Sequence, residues 1–175
     1  HRLVAADDSD VYYGCLNARP RARRLARVGD IGAVSRAFEA IPFAALAGRF
    51  AGIVQESGLR GAGPDDVTVS SISVFDLRSG RAIVLDPQAP NPRAPNPGAE
   101  STVGGFVLND RGWFAWIAGL TVGTGSTTFD VHSHDTTGNH VWDTGSNADP
   151  VGALDIGRHS FTWSHAGAIR AAPLA

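Results

Sequence analysis

The chain has no lysine, no methionine, one cysteine and only three glutamates, Glu39, Glu56 and Glu100, among its 175 residues. Each scarcity excludes something. With every basic residue an arginine, there is no Ser-x-x-Lys nucleophile, and positive charge sits on planar, weakly hydrated guanidinium groups. The bias is that of a GC-rich genome. Cys15 alone forms no internal disulfide; it reads as a small buried apolar residue, with an intermolecular bridge as the alternative. None of the three glutamates belongs to a recognisable acid-base pair. Gly-x-Ser-x-Gly, a phosphate loop and His-Glu-x-x-His are all missing, so no catalytic residue is assigned. The longest apolar stretch, Ile41 to Val54, is interrupted by Arg49 and too short to span a bilayer, so no membrane insertion is expected. Helical periodicity is scarce too. Only Ile31 to Ala47 approaches it, and Pro42 would end it, so a short helix or loop is expected there at most.

What is present is ordinary for a globular domain: 43% hydrophobic residues and a mean hydropathy of -0.06. Residues 1–175 read as one domain, long enough to bury a core without disulfides. A net charge of -2 and a pI near 6.3 disfavour a nucleic-acid partner. The chain opens at His1 and has no Met. We read it as the mature form of an exported protein, extracellular or at the cell surface, its signal peptide removed; a trimmed chain is the alternative.

Short β-branched and aromatic runs dominate: Val11 to Leu16, Asp66 to Phe75, Trp113 to Ile117 and Ser160 to Trp163. Such side chains fit a pleated surface, and Gly and Asn between them make tight turns. The runs repeat. Val74 to Leu85 and Ser133 to Trp142 are hairpins of one kind: strand, Asp, short polar loop, Gly, apolar strand. Cys15 to Arg21 is a degenerate third copy. Hairpins of a second kind, Phe43 to Val54, Phe106 to Ile117 and Ala153 to Ser164, turn at Gly48-Arg49, at Asn109-Asp110-Arg111-Gly112 and at Gly157-Arg158-His159. The expected fold is therefore all-β, built of antiparallel four-stranded repeat units at 43–87 and 102–145, with half units at 10–28 and 150–175. A β-trefoil or β-sandwich is the alternative.

Asp135-Thr136-Thr137-Gly138-Asn139-His140-Val141-Trp142 resembles the Asp-x-x-Thr-Gly-x-x-x-Trp hairpin of quinoprotein-type β-propeller blades, one residue short before the Thr-Gly. Asp76-Leu77-Arg78-Ser79-Gly80 has the blade spacing, with Ser for Thr and no following Trp. The resemblance, to blade repeats of the quinoprotein and WD40 kind, covers two or three segments. It implies a propeller-like four-stranded sheet and carries over no quinone-binding residue.

Five of the six histidines lie between positions 132 and 165. With a hairpin loop from Asp135 to Asn139, Asp130, His132, His134 and His140 share one face, with Trp142 facing His132 and with Phe129, Val131 and Val141 on the core face. Three imidazoles and a carboxylate suit Zn or Cu; without that site no cofactor is implied. Arg19, Arg21 and Arg23 alternate on a strand, as a charged edge or as a patch for an anion or acidic polysaccharide. Asp7 to Asp10 and Asp65-Asp66 lack the pattern of a calcium loop and read as solvated turns. Trp113, Trp116, Trp142 and Trp163 read as core, with a sugar-stacking platform as the alternative. Ala-Pro-Asn-Pro occurs twice in Ala89 to Gly98, an extended loop or a docking arm.

The half units leave strand edges that seek a partner. The expectation drawn from them is a non-catalytic, self-assembling extracellular protein, an oligomer or filament joined through Ile169, Arg170 and Leu174. Its partner would be another copy of itself. A secreted binding module for carbohydrate or another surface ligand is the alternative, and a metal-dependent enzyme using the His-rich hairpin comes third.

Overall fold

The computed structural model describes residues 2–6, 11–16, 19–27, 37–59, 67–85, 99–122 and 126–175. These hold fourteen strands and, among the described residues, no helix. Every strand pairs antiparallel with its neighbour in sequence, giving four open sheets in chain order. The first sheet holds β1 (Arg2–Ala6), β2 (Val11–Leu16) and β3 (Arg19–Arg27). The second holds β4 (Ala37–Ala47), β5 (Phe50–Leu59), β6 (Val67–Asp76) and β7 (Ala82–Leu85). The third holds β8 (Ala99–Leu108), β9 (Phe114–Val122), β10 (Ser126–Asp135) and β11 (Gly138–Ser146). The fourth holds β12 (Val151–Ile156), β13 (Ser160–His165) and β14 (Ala168–Pro173).

Side-chain alternation along each strand decides how the sheets stack. On β5, Ala51 and Ile53 point one way and join Leu25 and Leu77, sealing the second sheet against the first. Val54, with Ile72 and Val74 of β6, points the other way onto Val103, Phe106, Phe114 and Trp116 of the third sheet. The third sheet is covered on both faces. Phe114, Trp116 and Ala118 of β9 face the second sheet. Trp113, Ala115 and Ile117 face Phe161, Trp163, Ala172 and Leu174 of the fourth. That double burial is why β9 reads as an almost unbroken apolar run rather than an alternating one. Burying a side chain the size of Trp116 or Phe114, both fully inaccessible, contributes about 1.5–3 kcal/mol each.

One contact depends on a missing side chain. A Cβ built on Gly52 would lie 2.5 Å from the Phe106 ring, so glycine is what lets that ring approach the second sheet's backbone.

The helix-or-loop expectation for Ile31 to Ala47 is overturned from residue 37 onward, where the chain is strand β4, while the hairpin expected over Phe43 to Val54 is present in the β4–β5 pair; residues 31–36 lie outside the described residues. Pro42 falls where the β4–β5 register shifts, between Ala40 and Phe43, on a strand at the sheet edge. An edge bulge is where a strand tolerates proline, because no ladder hydrogen bond is lost. Asp7 to Asp10, Asp65-Asp66 and Ala89 to Gly98 also lie outside the described residues. Among the described residues no helix is long and apolar enough to cross a membrane.

Candidate binding cleft at the turn end

The hairpin turns gather at one end of the stacked sheets. Gly48 packs on Asp110, Asn109 Nδ2 donates to the Gly157 carbonyl at 3.1 Å, and Leu174 N–H donates to the His159 carbonyl at 2.8 Å. Three of the turns are organised by their own side chains. Asp76 Oδ1 accepts from the Arg78 and Ser79 amides at 2.9 and 3.3 Å, and Oδ2 accepts from Ser79 Oγ at 2.9 Å. Gly80, at φ +79°, then takes the left-handed conformation that returns the chain into β7. Asp135 repeats this chemistry in a tighter turn. Its Oδ1 accepts from the Thr137 amide and hydroxyl at 2.8 and 2.6 Å, and Gly138 sits at φ +113°. Asn109 does the same in the β8–β9 turn, its Oδ1 accepting from the Arg111 and Trp113 amides at 3.0 and 3.1 Å.

Between the second and third sheets these turns frame a cleft of about 520 Å³. Phe50, Val74, Ala82 and Ile83 supply apolar wall; Asp76, Arg81, Arg111, His134, Asp135 and Thr136 supply polar groups. A cavity this size with a few convergent polar groups is what a small-ligand site needs.

The acids in the cleft are already committed. For Asp76, burial pushes the carboxyl up, but hydrogen bonds from the Arg78 and Ser79 amides and the Ser79 hydroxyl, with the charge of Arg49, outweigh it and hold the group below the usual value. Arg49 Nε lies 3.5 Å from Asp76 Oδ1. Burial also raises Asp135, yet hydrogen bonds from Thr137, Ala175 and His140 bring it down to about 2. The cations are less committed. Arg111 lies over the Trp113 ring at 4.8 Å, with Nη2 3.4 Å from His159 Nε2. Among the described residues neither Arg81 nor Arg111 forms an ion pair with a carboxylate.

The proposed metal face does not assemble. The β10–β11 turn is the two residues Thr136 and Thr137, with Asp135 opposite Gly138, rather than a loop from Asp135 to Asn139. His140 therefore pairs with Ser133, not His134, and a one-residue slip moves a side chain to the other face. His132 and His134 face the second sheet, stacked on Trp116 and Phe114 with ring centroids 4.9 and 5.1 Å apart. His140 lies on the opposite face, 2.8 Å from the Thr137 hydroxyl and 3.3 Å from Asp135. Asp130 accepts from Thr144 Oγ1 at 2.7 Å. Trp142 is on His140's side, and Val141 is exposed rather than core. Among the described residues no group of three or more His, Cys, Asp or Glu is placed to hold a metal ion.

Of the arginine row, Arg19 and Arg21 lie on β3, and their side chains are outside the described residues. Arg23 is exposed, and its guanidinium sits against Gly80 of the β6–β7 turn, where a Cβ would come within 1.9 Å of it. The assembly residues divide. Ile169 is 72% exposed on β14. Arg170 Nη1 bonds both Asp143 oxygens at 2.9 Å. Leu174 is buried in the core between the third and fourth sheets, so it cannot face a partner. Cys15 is half-buried.

A clamp joining the third and fourth sheets was not read from the sequence. Asp143 accepts from Trp163 Nε1 at 2.6 Å and pairs with His165 Nδ1 at 2.7 Å. His165 Nε2 lies 2.7 Å from Asp149. Hydrogen bonds to Asp143 and Asp149 raise the His165 pKa against a small desolvation. Burial raises Asp143, but Trp163, His165 and Arg170 together outweigh it, and the carboxyl sits below its usual value. Imidazolium between two carboxylates is an electrostatic bolt; with both nitrogens occupied it has no free base to offer a substrate.

Arg81 and Arg111 were also missed, although a signal for the arginine-bearing end existed: all three turns of the second kind carry an arginine, Arg49, Arg111 and Arg158. Compared with protein-family models, curated proteins and solved structures, the chain matches none.

Proposed function

We propose that the chain is a non-catalytic binding domain working outside the cytoplasm, and that the cleft between its two four-stranded sheets holds carbohydrate or another surface ligand. The observation that carries this is the cleft itself: about 520 Å³, lined by apolar Phe50, Val74, Ala82 and Ile83 and by polar groups that include Arg81, Arg111, His134 and Thr136. The carboxylates beside it are spent on their own turns, which favours recognition over acid-base chemistry. We further infer that the four sheets are blades of a propeller-like repeat. In support, the sheets stack face to face in chain order, and the first strands β4 and β12 both lie against β8.

Saccharide titration followed by amide chemical shifts tests the binding reading. Shifts should cluster at residues 81–83 and 111–113, and Ala82→Trp, at an exposed position, should abolish them without lowering Tm. Undiminished binding by Ala82→Trp would place the site elsewhere.

Self-assembly is the second reading, favoured by a separate observation. The β14 edge presents Ile169, 72% exposed, and the β7 edge presents Val84, 66% exposed. Unpaired edges of this kind template strand addition. Sedimentation should then show mass rising with concentration, and Ile169→Lys should suppress it; a wild-type monomer at the highest concentration sinks the idea.

A further inference from the structure

Arginine gathers at the turn end of the described strands. Arg49, Arg78, Arg81, Arg111 and Arg158 all sit in or beside the gathered turns. Against them stand Asp76, Asp110, Asp135 and Asp155, of which Asp76 and Asp135 are consumed by their own turns. The three glutamates are at the other end by register: Glu39 opposite Ser57, Glu56 opposite Ala40, Glu100 opposite Thr121. The net charge is -2, yet the cleft opens where these arginines gather, with Arg81 and Arg111 in its lining.

We propose that the turn end binds an anionic oligosaccharide, one acidic group seated between Arg81 and Arg111 and the sugar ring against Phe50 and Ile83. This rests on the cleft being a ligand site and adds the ligand's charge. Guanidinium forks match carboxylate and sulfate oxygens in pairs. The guanidiniums of Arg81 and Arg111, neither in an ion pair among the described residues, are the cationic groups of the cleft with donors to spare. The apolar wall suits the C–H face of a pyranose. A nucleic-acid strand is disfavoured, because stacking bases needs exposed aromatic rings. Here Trp113 is buried under Arg111, which leaves Phe50 as the one half-buried Phe, Tyr or Trp ring lining the cleft, enough for one sugar ring but not for successive bases.

Isothermal titration with three probes tests the proposal: tetragalacturonate, a heparin tetrasaccharide, and fully methyl-esterified tetragalacturonate as the uncharged control. One of the two anionic probes should bind and the ester should not; which one binds distinguishes carboxylate from sulfate. Losing a charge-assisted hydrogen bond in Arg81→Gln or Arg111→Gln should weaken binding about tenfold, and added NaCl should weaken it further. Should Arg111→Gln disturb its turn, Arg81→Gln, at an exposed position, still decides. Equal binding of ester and acid overturns the charge reading and leaves the cleft as a neutral site. Preference for a single-stranded oligodeoxynucleotide over all saccharides overturns the sugar. Binding of no probe overturns this inference, and a neutral-saccharide panel that also fails overturns the cleft as a carbohydrate site.

Discussion

His132 should make this fold acid-sensitive, and the size of the effect follows from its surroundings. The side chain is fully buried, lies flat on Trp116 with 7° between the ring planes, and has neither ring nitrogen hydrogen-bonded. Burial disfavours the imidazolium and lowers the pKa from 6.5 to about 4, the nearby charge of Asp130 offsetting only part of that. A histidine with a depressed folded pKa is neutral in the native state while the unfolded chain takes up a proton below pH 6.5. Stability is therefore intact above 6.5 and falls as pH drops towards 4. At about 1.4 kcal/mol per pKa unit, the loss approaches about 3 kcal/mol. His132→Phe keeps a flat ring on Trp116 and removes the titration. Urea denaturation of both proteins at roughly pH 7 and pH 4 measures the difference. Wild type should lose about 3 kcal/mol more than the variant over that interval. At pH 7 the variant should be at least as stable, since it no longer buries two unpaired nitrogens. Equal losses in the two proteins would refute the reasoning, because every other titrating group is common to both.

Other consequences can be checked on the same preparations. Trp116→Ala should cost about 3–5 kcal/mol, since the ring is fully enclosed between two sheets; a loss under about 1 kcal/mol would put the ring at the surface. Gly52→Ala should cost about 1–3 kcal/mol by colliding with Phe106, and Phe106→Leu should relieve part of it in a double mutant; strict additivity would argue against the contact. His165, with its pKa raised above 6.5 by Asp143 and Asp149, contributes stability that is complete below 6.5 and lost as pH rises through its folded value. NMR titration should show that value falling in Asp143→Asn. Deleting Ile169 to Ala175 removes most of β14 together with buried Ala172 and Leu174, so circular dichroism should show the fourth sheet melting.

The all-β class was legible because it rests on local chemistry. β-branched and aromatic runs fit a pleated surface, and Asp76, Asp135 and Asn109 bond their own turns within a few residues. So were Trp116 and Trp163 as core, since a large apolar ring at the centre of a strand must be covered by something. Trp142, by contrast, is only half covered, 38% exposed, on the outermost strand β11. The first part of β4, Ala37 to Pro42, was misread because apolar residues near a helical period also fit an edge strand with a bulge at Pro42. The metal face failed for want of one fact, the length of the Asp135–Gly138 turn. A period-two strand converts an error of one residue into the opposite face, and only the closed ladder supplies the register. The clamp of Asp143, His165 and Asp149, and the cleft between residues 50, 81, 111 and 134, join positions tens of residues apart. No pattern within a strand encodes which sheet will lie against which, so those groups met only when apolar faces chose their partners.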